Sequence, residues 1–518
     1  MRYMDYKLQG YHYGMDAQLP KIVLELRKVL SESQDSISNP HLHLDNGELE
    51  DVAGVLVDFA ADIHASTGLW NCYEQYNIEL FGIPLPLTLE QAFAEPLNGI
   101  CLERVRHLLW IVYQILLDSP VLAPHDPNIM HFAKVSQVFL ENAFGSLSTD
   151  SGIKRFLKTP NDYGWDVKRK LVWLGTRSYL FRVLFHQYMA EHEAPRSDIG
   201  YTDDFICQEC TLWSGLGVID ILAGILDIDE NDRKDLRNWY ERHVAPYMIL
   251  SANPRTLNAK NIINNQQYRI RVNMKNHPFV PGLLVMGGLT PWRGEWYWSG
   301  EQRGSEQDPP TNMIEDLKNT IRRQSPALVC RCDKEYEAKV RGRMAELHAS
   351  SLVFHGRDLM VYPDGLSMAA DWQKELRQIW ESKSPEVVRE TVKKHGLKNG
   401  RPNISIPDDL LEAKNGLGVF LNPDSGQEIM QEFNDLESGF RRKGIGLIDD
   451  ENEAIIGFIS SDVISPAFVR RMVEEYGDES IKSSFCLNEI TEGYWLEYLL
   501  RCHKGSFFRK YYPAISLV

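Results

Sequence analysis

Cys207 and Cys210, in Cys-Gln-Glu-Cys, have the spacing that lets two thiolates chelate one zinc ion. A closed tetrahedral site needs two more ligands, and Cys330 and Cys332, in Cys-Arg-Cys, are the pair that could bring them across the fold. In a zinc ribbon the second pair follows within about 15–20 residues, and here the gap is far longer. The competing expectation is a pair of thiols buried on one face of an amphipathic helix running from Thr202. No clear strand precedes Cys207, which argues against a thioredoxin-type redox role.

His41, His43 and Asp45 alternate along the chain, so on an extended segment they would share one side and could hold a hydrolytic metal. The alternative is a loop after Pro40 that enters a helix with its polar side chains in water. His125-Asp126 has the residue types of a metal-dependent phosphohydrolase pair, but Pro124 and Pro127 flank it. It reads as a helix entry with Asp126 as cap. Asp227-Ile-Asp229-Glu-Asn231 begins like a calcium loop. Asp232 then stands where the loop needs Gly, and Asn238 where it needs a bidentate Glu. An acidic helix start explains the run better.

The densest aromatic cluster is Trp292, Trp296, Tyr297 and Trp298. On a strand Trp296 and Trp298 share a face, with Tyr297 opposite. Exposed beside Arg293, Glu295 and Glu301, they would form a stacking platform for a sugar, base or peptide. The alternative is that the Trp pair packs the β unit onto the helical region. Lys168, Arg169 and Lys170, with Arg177 and Arg182, interleave with aromatic residues and read as the solvated face of a long helix. Asp449, Asp450, Glu451 and Glu453 follow Arg441-Arg442-Lys443 and read as a charged hairpin tip. No GxxxxGK[ST], no GxSxG and no GxGxxG between strand and helix occurs, and Gly416-Leu-Gly418 precedes a strand instead of opening a helix.

These residues need elements to position them. The 518-residue chain, 43% hydrophobic and 25% charged, is expected to fold as several domains. Helical spacing of apolar residues marks Ile22–Leu30, Glu48–His64, a helix capped near Asn98 and running to Leu117, Asn128–Phe144, Asp162–Met189 and Asn231–His243. The polar, Asn-rich stretch Ser251–Gln267 reads as a linker. A small antiparallel β unit with hairpin turns follows, bounded by a second polar break at Gly300–Thr311. Helices are expected over Asn312–Arg323 and Lys334–Ala349. Then a strand-then-helix plan recurs three times, with strands in LMVYPDG, GVFLNPDSG and AIIGFISS and helices at Leu366–Glu381, Gln427–Phe440 and Ala467–Tyr476. The expected fold is therefore mixed: a mainly α-helical region over 1–250, a linker and small antiparallel β unit over 251–310, and an α/β or α+β region over 311–518.

Bulk charge narrows the function. A net charge of -16 repels phosphate backbones, so nucleic acid is a disfavoured partner. The most apolar run, Leu108–Leu117, is half the length that spans a bilayer, so no membrane association is expected. Sparse cysteines and an N-terminus unlike a signal peptide point to a reducing, cytoplasmic setting. The leading expectation is an interaction or regulatory protein that recognises a protein partner through Trp292, Arg293, Trp296 and Trp298. The alternative is a metal-dependent hydrolase built on the Cys, His and Asp ligands, with zinc as the metal.

Overall fold

The structure is a computed structural model. It describes the chain except residues 1–2, 9–13, 36–38, 40–41, 90–96, 118–120, 243, 273–276, 306–314, 318–319, 321–326, 331–332, 396–403, 510–511 and 513–518. The fold is mixed α+β, helical at first and with its sheets in the later part. The chain divides into two compact units, one of residues 1–332 with 489–509 and one of 333–488 with 510–518.

The first unit opens on helices α1 (Leu19–Gln34), α2 (Asn46–Ala65), α3 (Leu69–Phe81), α4 (Leu102–Leu116) and α5 (Pro127–Phe144). They continue with α6 (Gly152–Leu157), α7 (Gly164–Arg177), α8 (Arg182–Glu191), α9 (Ile199–Gln208), α10 (Val218–Ile225) and α11 (Glu230–Arg237). Their starts are written locally. Asp45 accepts from the Gly47 and Glu48 amides while the Glu48 carboxylate accepts from the Asp45 amide, a reciprocal cap on α2. Asp126 caps α5 by accepting from the Asn128 amide at 2.8 Å, with Pro127 in the first turn. Asp229 caps α11. The α4 start is Cys101 rather than Asn98, and its side chain makes no cap bond.

The expected single helix over Asp162–Met189 is two, broken at Ser178, whose backbone is extended. The Ser178 hydroxyl bonds the Leu174 carbonyl, and Tyr179, Leu180 and Phe181 are all buried.

Strands β1 (Ala245–Ala252), β2 (Thr256–Asn261), β3 (Gln267–Arg271), β4 (Leu284–Trp292) and β5 (Glu295–Ser305) close into a barrel of order β1-β2-β3-β5-β4. Closure leaves no sheet edge exposed. The stretch read as a linker supplies the end of β1 and all of β2. Leu257 and Ala259 alternate inward there with polar residues outward, and Asn253 holds the hairpin by accepting from the Arg255 and Thr256 amides. Asparagines that read as linker composition are turn formers. The barrel is antiparallel except for β3 against β5, which are parallel with Ile270 opposite Trp296. A tight turn at Arg293-Gly294, both with positive φ, joins β4 to β5. A short helix, α12 (Ala327–Cys330), follows the barrel, and α21 (Trp495–Lys504) returns to this unit.

The second unit holds α13 (Lys334–His355), β6 (Leu359–Tyr362), α14 (Gly365–Glu381), α15 (Pro385–His395) and α16 (Asp408–Glu412). Then come β7 (Leu417–Asn422), β8 (Gly426–Gln431), α17 (Phe433–Arg441), α18 (Asp449–Ser460), α19 (Pro466–Tyr476) and α20 (Glu479–Ser484). Its sheet is antiparallel, in order β6-β7-β8, over a core that includes Met360, Met368, Leu417 and Val419. Three expectations are corrected. The helix expected over Gln427–Phe440 is strand β8 as far as Gln431, paired with β7, and becomes helical only from Phe433. AIIGFISS is helix α18, not a strand: Ala454, Ile455, Phe458 and Ile459 bury one helical stripe. Asp449, Asp450 and Glu451 are its acidic first turn, favourable at the positive end of the helix dipole, not a hairpin tip. The Asn312–Arg323 expectation lies largely outside the described residues. Among the described residues no single helix is long and apolar enough to cross a membrane.

Candidate functional site: a cleft between helices and barrel

The predicted aromatic platform is mostly interior. Trp292 is fully buried and donates its indole N–H to the Asn161 carbonyl at 2.9 Å, so it cannot serve as an exposed stacking surface. Trp296 and Trp298 are half-buried and share one face of β5. Trp296 packs edge-on to Tyr268 and Trp298 edge-on to Tyr247, and Phe279 stacks on Trp298 at 5.7 Å. Tyr297 is the residue that packs β5 onto α7: its ring lies where a Cβ on Gly164 would stand, 2.6 Å away. Arg293 is exposed at the turn and forks onto Asp232.

The cysteine pair diverges. Cys207 is buried and its sulfur takes a 3.5 Å contact from the Lys168 ammonium, while Cys210 packs against Gly505. Burial pushes the Cys207 thiol up to about 12 and the Cys210 thiol up to about 11. Cys330 is buried in α12, and Cys332 lies outside the described residues. Among the described residues no three His, Cys, Asp or Glu side chains gather as a metal group. His43 and Asp45 are exposed in the loop entering α2, and His41 lies outside the described residues.

The chemistry gathers elsewhere, in a cleft of about 500 Å³ in the first unit. Helical spacing builds its walls. Lys168, Val172 and Thr176 are four apart on α7, ending at Arg177, and Ile199, Thr202, Asp203 and Ile206 form one stripe of α9. The chain around and after α8 adds Phe185, His186 and Arg196, and β5 adds Trp298 and Gly300. Gly300 has φ +72, and a Cβ there would come within 3.0 Å of the Asp203 carboxylate. Glycine is what lets the strand approach the helix.

Asp203 anchors the cleft. It is buried, pairs with both Lys168 and Arg242, and accepts the Ser299 hydroxyl at 2.8 Å. Burial alone would raise its pKa. The charges of Lys168 and Arg242, with hydrogen bonds from Lys168 and Ser299, more than offset that and hold the carboxyl below the usual carboxylate range. Asp198 is occupied in capping α9. Arg177 and Arg196 differ: neither forms an ion pair with a described residue. His186, whose Nδ1 lies 3.3 Å from the Tyr6 hydroxyl, is held neutral, its pKa pushed down to about 3 by burial and then by the charges of Arg196 and Arg182. The cleft wall thus combines two guanidinium groups outside any ion pair, of which Arg177 donates to the Lys7 carbonyl, with a neutral imidazole, the Asp5 carboxylate and the Phe185, Val172 and Trp298 surfaces. Side chains of these types, so placed, have the chemistry to hold an anion against an apolar wall.

The basic run on α7 is not simply a solvated face. Lys168 is half-buried in the cleft, and Lys170 is buried, donating to the Thr159 carbonyl and to Asn161 Oδ1 at 2.6 Å. Arg182 is buried on Asp58. Both sides of α7 are covered, by barrel and by helices, so its polar residues find partners inside. Asp203, Arg196, His186 and Arg242 were not singled out from sequence. The four-residue spacings on α7 and α9 are the signal that would have found the walls, whereas their convergence with β5 is tertiary.

No curated protein and no solved structure matches this chain. Residues 46–192, from α2 through α8, match a family model described as "Protein of unknown function (DUF3843)", so Lys168, Arg177, Phe185 and His186 lie inside the matched segment while Arg196, Asp203 and Trp298 lie beyond it.

Proposed function

We propose that this protein acts by recognition, and that the cleft between α7, α9 and β5 binds an organic anion with a flat apolar body. The observation that carries this reading is Arg177 and Arg196. In a chain of net charge -16, these two guanidinium groups line one cleft and pair with no described carboxylate. The cleft's own buried carboxylate, Asp203, already holds two cations. An incoming anion therefore meets two guanidinium groups that make no ion pair, although Arg177 already donates one N–H to the Lys7 carbonyl at 3.4 Å. Phe185 and Trp298 supply the wall for its apolar part. A cytoplasmic setting belongs to the same reading, supported by Cys72, Cys101, Cys207, Cys210 and Cys502, all free thiols.

The test is calorimetric titration of the full chain with phenyl phosphate, AMP and inorganic phosphate, beside phenol and adenosine as uncharged counterparts. The aromatic anions are expected to bind at least about tenfold tighter than either the uncharged rings or phosphate alone, a difference of about 1.4 kcal/mol. An Arg177→Ala/Arg196→Ala variant is expected to lose that preference. Equal binding of charged and uncharged rings, or an unaltered preference in the variant, overturns the reading.

A further inference from the structure

The second unit carries a groove of about 460 Å³ that the anion cleft does not explain. Two helical stripes face each other across it: Met344, Leu347, His348 and Ser351 on α13, and Trp372, Glu375, Leu376 and Ile379 on α14. Both follow the same i, i+3, i+4, i+7 spacing, so each helix turns one face to the groove. The β7–β8 hairpin closes one end with Leu421 and Gly426. The walls are mainly apolar, and Met344, Leu347 and Trp372 are only half-buried although they sit on well-formed helices.

The polar lining is His348, Ser351, Asn422, Ser425, Gln427 and one carboxylate, Glu375, which belongs to an acidic cluster. Glu375, its side chain 8% exposed, accepts the Ser351 hydroxyl at 2.5 Å and lies 3.3 Å from His355 Nε2. The other imidazole nitrogen of His355 lies 3.4 Å from Asp371, which also accepts the Tyr362 hydroxyl at 2.8 Å. Two carboxylates share one imidazole, so the cluster keeps net negative charge whether or not His355 carries a proton. Tyr362 senses it: burial, the hydrogen bond to Asp371 and the charges of Asp371 and Glu375 together raise its pKa. An unmet group lies in the wall, where the Trp372 indole N–H is buried and meets no acceptor among the described residues.

We infer that this groove binds a small apolar amine, its cationic head at Glu375 and its body against Met344, Leu347, Trp372 and Leu376. Charge complementarity selects the head, since a buried carboxylate rewards a cation and penalises an anion in the same place. The aromatic face of Trp372 adds cation–π attraction for an ammonium, and its N–H suits a hydroxyl or carbonyl oxygen beside the nitrogen. The thioether of Met344 and the leucines accept a body of variable shape.

The test titrates the full chain with phenethylamine, 2-phenylethanol and phenylacetate, which share one ring and differ in head charge. Tryptophan fluorescence and calorimetry read the binding. The amine is expected to bind at least about tenfold tighter than the alcohol, and the carboxylate weakest. Glu375→Gln keeps an acceptor for Ser351 and removes the charge, and is expected to erase the preference. Met344→Lys places a cation on a half-exposed position of the same wall and is expected to do so without touching the buried cluster. No saturable amine binding, equal affinity for amine and alcohol, or a preference that survives both substitutions would overturn the inference. The Arg177→Ala/Arg196→Ala variant should bind the amine unchanged, which keeps this site distinct from the anion cleft.

Discussion

Ser299 on β5 donates a 2.8 Å hydrogen bond to Asp203 on α9, and through that carboxylate the barrel is tied to the helical part of its unit. Lys168 from α7 bonds both residues, 2.8 Å from the Ser299 oxygen, so three elements converge on one buried charge. Asp203→Asn removes the anion and leaves Lys168 and Arg242 facing each other. The expected loss is about 3–5 kcal/mol, because breaking a buried pair strands its partners. Chemical denaturation of both proteins measures it, and a loss under about 1 kcal/mol would mean that water or Asp204 compensates the cations.

Acid sensitivity follows from His107. It is fully buried, with its ring nitrogens 2.7 Å from the Tyr73 and Thr88 hydroxyls, and burial together with Arg106 pushes its pKa down to about 3. An unfolded histidine titrates near 6.5, so below that pH unfolding takes up a proton that the folded protein refuses. Stability is therefore full above about pH 6.5 and falls as pH drops toward the folded value, by up to about 1.4 kcal/mol per pH unit for this group. His186 and His503 act in the same direction. Unfolding midpoints of wild type and His107→Gln, measured from pH 7.5 down to pH 4.5, should show a shallower slope in the variant; parallel slopes would rule out His107 as a source.

Thiol accessibility separates the cysteines. Cys486 is exposed, whereas Cys207 is buried and raised to about 12 and Cys210 is raised to about 11 by burial. A limiting thiol reagent on the native protein should modify Cys486 first, with Cys207 and Cys210 protected until denaturant is added. Peptide mass mapping locates the label, and fast native modification at Cys207 would contradict its placement behind Lys168.

Much of the local order is written in short stretches of chain. Asp45 with Glu48, and Asp126 with Pro127, start helices wherever they stand, because a cap is satisfied within four residues. The apolar spacing of α2 and α5, and the Arg293-Gly294 turn, are likewise local, and so was the mixed α+β class they imply. Local pattern failed where two periods compete or where composition misleads. AIIGFISS suits a strand by its isoleucines and became a helix because its acidic first turn and one-sided burial favour one. The asparagines around Asn253 suggested a linker and are hairpin turns of a closed barrel. Only the tertiary structure decided which charges are spent. Sequence shows Lys168, Arg177 and Arg182 as equivalent cations. Folding places Lys168 on Asp203 and Arg182 on Asp58, and leaves Arg177 beside Arg196 in a cleft with no carboxylate partner among the described residues. Spacing along a chain fixes which residues share a helix face, whereas the partner opposite that face comes from residues 35 positions away, as for Lys168, 124 away, as for Arg182, or from none, and that difference decides between a structural ion pair and a binding site.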